Sequence, residues 1–138
     1  MRTLHFGLRV ADLERSLTFY TAVGYEVVGS VPETAFGSLT MLKLPGDDFV
    51  SLELVHDPAR SELEPGTRLN HFVIKVESMD ATVAELAARG VEAEPPESPD
   101  GSADFQTSWI TDPDGNRIEL VQWPPGHAGG ITAADWPD

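Results

Sequence analysis

A chain of 138 residues, 41% of them hydrophobic, can build one core but not two independent ones, so a single folding unit is expected. With no Cys, disulfides, thiolate nucleophiles and cysteine-rich zinc sites are excluded, and any metal must rest on His and carboxylate. A net charge of -14, from 9 basic against 23 acidic residues, lacks the cationic field that nucleic acid requires, and an anionic small molecule would need a locally basic pocket.

No apolar run approaches the roughly 20 residues that cross a bilayer, and Met1 to Phe6 lacks the apolar stretch of a secretion signal. A soluble cytoplasmic protein with no membrane partner is expected. The chain opens on alternation: His5, Gly7 and Arg9 face one way and Phe6, Leu8 and Val10 the other, which predicts a half-buried strand. A helix follows, with Asp12 as N-cap, Leu13, Leu17 and Tyr20 on one apolar face, and Gly24 as the terminating glycine. Three short strands are expected near residues 25–31, 39–44 and 49–56, with Pro45-Gly46-Asp47-Asp48 turning between the last two.

Residues 57–67, with two Pro and several charges, read as a linker. The pattern then returns. His71, Ile74 and Val76 repeat the strand less cleanly; Ser78 caps a second helix carrying Met79, Val83 and Leu86 and ending at Gly90. The stretch 95–102 reads as a loop, and Asp112-Pro113-Asp114-Gly115-Asn116 is a strong turn signal. Residues 124–138 read as an extended tail whose Ile131 and Trp136 dock on a neighbouring surface, with a free Trp136 as the alternative.

Sliding the chain along itself exposes the repeat. At a constant shift of 66, residues 2–55 lie over 68–121 with 11 of 54 pairs identical, where chance would give about four. His5 falls on His71, and Glu53-Leu54-Val55 on Glu119-Leu120-Val121. The expected fold is therefore α+β: two tandem βαβββ modules, residues 2–56 and 68–123, forming a curved mixed-sheet cup.

Each module carries a His on its first strand and a Glu on its last, 48 residues apart in both copies. Glu53 and Glu119 each sit in an apolar run, where a carboxylate facing a sheet concavity needs a partner. Two imidazoles and two carboxylates from symmetry-related positions suit a divalent ion and leave two octahedral positions for water or substrate oxygens. His56 and His127 read as a strand-end and a tail residue.

The run from Met1 to Leu13, then Ser16-Leu17-Thr18-Phe19-Tyr20-Thr21, resembles the opening of bacterial glyoxalase I (lactoylglutathione lyase), of the vicinal oxygen chelate superfamily. Gly66-Thr67 ahead of His71, and Asp112 to Val121, are similar to that family's second-module signatures, so the resemblance spans residues 1 to 123. It implies that His5, Glu53, His71 and Glu119 bind a metal, with Glu119 the leading catalytic base and Glu53 straddling the site. It also implies that Arg9 contacts a thiol cosubstrate's carboxylate. The short chain resembles the Ni-activated form, with Zn, Co, Mn or Fe also compatible. The resemblance further implies a homodimer and a 2-oxoaldehyde–thiol substrate. Departures are Asp57-Pro58 in place of Asn-Trp-Gly, Asn70 in place of glycine, and a helix one residue short. An epimerase or dioxygenase on the same scaffold, or a metal-free drug-binding module, stays open.

Overall fold

A computed structural model describes residues 1–64, 66 and 68–136. The expected linker's Pro65 and Thr67, the latter part of the resemblance, and the tail's Pro137 and Asp138 lie outside these described residues. The chain forms two compact units, Met1–Thr67 with Asp112–Gly115, and Arg68–Thr111 with Asn116–Asp138.

Unit 1 contains β1 (Phe6–Arg9), α1 (Leu13–Val23), β2 (Glu26–Thr34), β3 (Gly37–Lys43) and β4 (Leu52–His56). Its sheet runs β1-β4-β3-β2, with β1 parallel to β4 and the other pairs antiparallel. The expected N-cap forms: the Asp12 carboxylate accepts the Arg15 N–H at 3.0 Å. Gly24, at φ 128, ends the helix. Helix α1 turns the expected face inward but centres its burial on Ser16 and Tyr20, which are fully buried, while Leu13 and Leu17 are half-buried. The reason is polar docking. The Tyr20 hydroxyl donates to Asp112 at 2.6 Å, and Ser16 and the Ala11 amide donate to Asp114 at 3.5 and 3.4 Å. The β2–β3 hairpin needs Gly37, whose φ is 110 and whose place for a Cβ is filled by the His56 carbonyl oxygen.

Unit 2 contains β5 (His71–Lys75), α2 (Met79–Ala88), β6 (Gln106–Thr111) and β7 (Arg117–Gln122), ordered β5-β7-β6. Ser78 caps α2 by accepting from Ala81 N, as expected, and Met79 and Leu86 are buried beneath it. The module lacks one of its three expected trailing strands. Pro95 and Pro96 carry no amide hydrogen, so pairing shrinks to a Glu97↔Thr107 bridge and a Glu94 N–H to Trp109 carbonyl bond.

The shift of 66 survives where it matters. Gly7 pairs with Glu53 across β1–β4, and Val73 with Glu119 across β5–β7. Between those ends the ungapped alignment fails: Leu42 opposes Leu52 and Ile110 opposes Ile118, so the β3 and β6 positions differ by 68. The β3–β4 connection is the longer one, organised by Asp47, which accepts from Leu44 N at 2.9 Å and Ser51 Oγ at 2.6 Å.

Candidate metal centre and substrate cleft

Strand alternation sorts each sheet into a buried and an open face. In unit 1, Leu8, Val10, Leu52 and Leu54 are buried. On the other face lie Gly7, Arg9, Glu53 and Val55, with His5 immediately before β1. His5 Nε2 meets Glu53 Oε2 at 3.1 Å, with the side chains 37% and 17% exposed, so the pair remains accessible. Arg9 Nη1 is buried with no hydrogen-bond partner, an orphaned donor of a cation.

In unit 2, Ile74, Ile110, Ile118 and Leu120 are buried, and His71, Val73, Lys75, Trp109 and Glu119 share the opposite face. His71 pairs with Arg117, two register positions from Glu119. Asn70 Oδ1 lies 2.7 Å from His71 Nδ1, which must therefore carry the proton, leaving the Nε2 lone pair available to a ligand. The Trp109 ring meets His71 edge-on at 5.1 Å and is covered by the Arg117 guanidinium at 4.8 Å. Glu119 lines a cleft of about 540 Å³ walled by Val73, Phe105, Trp123 and Ile131, with Lys75 at its edge. Lys75, paired with Glu77 at 3.6 Å, is the cation beside this cleft, and Arg9 is the cation on the corresponding face of unit 1.

The structure brings His5 to Glu53 and places His71 and Glu119 on one face. Among the described residues, no three His, Cys, Asp or Glu side chains gather within reach of one ion. No helix of the described residues is long and apolar enough to cross a membrane.

Several functional groups carry signals that sequence reasoning passed over. The tail is folded, not extended. His127 stacks on Trp123 at 4.2 Å, Trp123 stacks on Phe105 at 5.1 Å, and His127 Nε2 bonds Asp135 at 2.7 Å. The Thr132 N–H, followed by His127, holds the Asp135 carboxyl below the usual carboxylate range. Ile131 and Trp136 are 68% and 65% exposed, so of the two expectations for Trp136 the free one holds, and Ile131 stands at the cleft rim. The Asp112 and Asp114 side chains, legible only as turn residues, anchor α1; burial first, then Asp112, pushes the Tyr20 hydroxyl far above its ordinary range. Burial also raises the Asp114 carboxyl, opposed by the Ala11 amide and by Arg15.

The sequence model of the Glyoxalase/Bleomycin resistance protein/Dioxygenase superfamily matches residues 2–120. The chain belongs to this superfamily. Within it, a probable lactoylglutathione lyase of Vibrio cholerae is 32% identical over 133 residues, covering 93% of this chain and 95% of the relative. The solved trypanothione-dependent glyoxalase I of Leishmania major superposes with a TM-score of 0.69 at 30% identity, over 88% of this chain and 86% of that one. An antibiotic binding protein from Streptomyces sp. CB03234 superposes with a TM-score of 0.66 at 26% identity, over 90% and 97%. The superfamily's α+β architecture of mixed sheets with few helices is the one described above.

Proposed function

We propose that this protein is a metal-dependent glyoxalase I-type lyase, converting a 2-oxoaldehyde–thiol hemithioacetal to an S-2-hydroxyacyl thioester. The observation that carries the proposal is the recurrence of one imidazole and one carboxylate at the same register of two separate sheets, Gly7↔Glu53 and Val73↔Glu119. Relatives named lactoylglutathione lyase across most of the chain support it.

The donor set fits a divalent ion. His5 and Glu53 approach one another on an accessible face, and Asn70 orients the His71 ring with Nε2 free. His5, Glu53, His71 and Glu119 would hold the ion: Ni is our choice, with Zn, Co, Mn or Fe compatible with the same N/O donors. When bound, it supplies Lewis acidity toward adjacent substrate oxygens.

The protein's own residues do the rest. Glu119 removes the proton α to the carbonyl and returns it to the neighbouring carbon, with Glu53 as the second carboxylate of the site; the reaction is an isomerisation, so atoms balance without a co-reactant. Arg9, with its orphaned Nη1, takes the thiol's carboxylate. The protein acts in the cytoplasm as a homodimer; the edge strand β2, which leaves Val27, Val28 and Val31 51%, 56% and 43% exposed, supports the dimer.

Stripping the protein with chelator, restoring Ni, Co, Zn and Mn in turn, and following thioester formation from methylglyoxal with glutathione and other thiols tests this. Metal-dependent turnover is expected. Tight metal binding without turnover would favour an epimerase or dioxygenase. A second reading, a metal-free binding module, is favoured by the apolar walls of the Glu119 cleft and by the likeness to an antibiotic binding protein; absence of metal binding would select it.

A further inference from the structure

The segment after β7 lies beyond the superfamily match, which ends at residue 120. It nevertheless builds part of the Glu119 cleft, since Gly129, Gly130 and Ile131 form one wall. That wall is fixed by a closed set of bonds. His127 Nδ1 accepts the Gly129 N–H at 3.0 Å while Nε2 donates to Asp135 at 2.7 Å, which a neutral ring protonated on Nε2 satisfies at both nitrogens. Asp135 in turn accepts the Thr132 N–H at 2.7 Å, so residues on both sides of Gly129–Ile131 are tied to one carboxylate. The His127 ring is itself anchored, lying 7° from coplanar with Trp123, which lines the same cleft. Gly129 sits directly on Lys75: a Cβ there would fall 2.6 Å from Lys75 Nζ, and its φ of 84 favours glycine.

We propose that this segment is a latched specificity wall, with His127 as its positioning residue. It shapes the cleft for 2-oxo compounds bearing a planar apolar substituent, which would lie against Phe105, Ile131 and the edge of Trp123, whose ring stacks on Phe105 and His127, with its 2-oxo end toward Glu119. Flat aromatic surfaces and a branched aliphatic rim gain contact with an aryl group that a methyl group cannot supply. The proposal rests on the reading of the Glu119 cleft as the substrate site.

The test uses the full chain. Turnover of phenylglyoxal and methylglyoxal hemithioacetals is compared for the wild type and for Ile131→Ser, His127→Ala and His127→Gln. Calorimetric titration with phenylglyoxylate and with pyruvate reads binding independently of turnover. The wild type is expected to prefer the phenyl compound in both assays. Ile131→Ser and His127→Ala should each lower that preference roughly three- to tenfold. The loss should appear mainly in KM for the phenyl substrate and be smaller for the methyl substrate. His127→Gln, which retains one donor and one acceptor, should recover most of the loss. Equal preference ratios in the wild type, Ile131→Ser and His127→Ala would overturn the wall. An aryl preference in calorimetry that Ile131→Ser removes, without any turnover, would uphold the wall and overturn the glyoxalase reading alone.

Discussion

In unit 1 the His5 imidazole reaches the Glu53 carboxylate at 3.1 Å, whereas in unit 2 His71 turns to Asn70 and Glu119 lines a cleft. The register is the same in both, so backbone pairing alone does not explain the difference. Local neighbours do. Unit 1 has a glycine opposite its Glu, and even a Cβ added there would lie 4.0 Å from Glu53 Oε1, so the carboxylate can settle against its histidine. Unit 2 has Val73 at that place, a Trp109 ring beside the imidazole, and Asn70 as an alternative acceptor. The repeat thus places the His and Glu side chains, and non-repeated residues decide how each one is held.

The sharpest break in that comparison is Glu119→Gln, expected to lower turnover by about 10²- to 10⁴-fold if Glu119 is the base. Circular dichroism should show the fold intact; full activity would remove Glu119 from its role. Next in size, Leu54→Ala and Leu120→Ala, equivalent buried positions 0% and 1% exposed, should each cost about 2 to 5 kcal/mol in denaturant unfolding. Losses below 1 kcal/mol would show that these faces are not core.

A smaller effect separates the helices. Tyr20→Phe removes the donor to the buried Asp112 and should cost about 1 to 3 kcal/mol. Helix α2 has no equivalent acid; there the Met79 N–H is met by Gln122 at 2.7 Å. Tyr20→Phe at wild-type stability would mean that the hydrogen bond contributes nothing net.

The smallest expected effect is in pH dependence. Because burial raises the folded-state pKa of Asp114, its contribution is fully present below the ordinary carboxylate value and lost as pH rises through the raised one. Asp114→Asn should therefore gain on the wild type as pH climbs out of the carboxylate range. Parallel stability curves would contradict this.

The sequence made the His and Glu positions legible because alternation and a 48-residue spacing are local properties that survive divergence. Both helix N-caps were legible for the same reason: Asp12 and Ser78 act within three residues. What escaped was set by long-range partners. The burial of Ser16 in place of Leu17 depends on Asp114, 98 residues away from Ser16. The loop at 95–102 was legible from Pro95-Pro96, and it takes the place of a strand that the repeat predicts for unit 2. His127 looked idle because its stacking and hydrogen bonds belong to a tail without periodic pattern.

Metal stoichiometry tests most directly the proposal that both His–Glu pairs serve one ion. Nickel should bind the stripped wild type at one ion per chain with two imidazole ligands by X-ray absorption, and both His5→Ala and His71→Ala should abolish tight binding. Tight binding retained in either variant, or two independent sites per chain, would contradict the account.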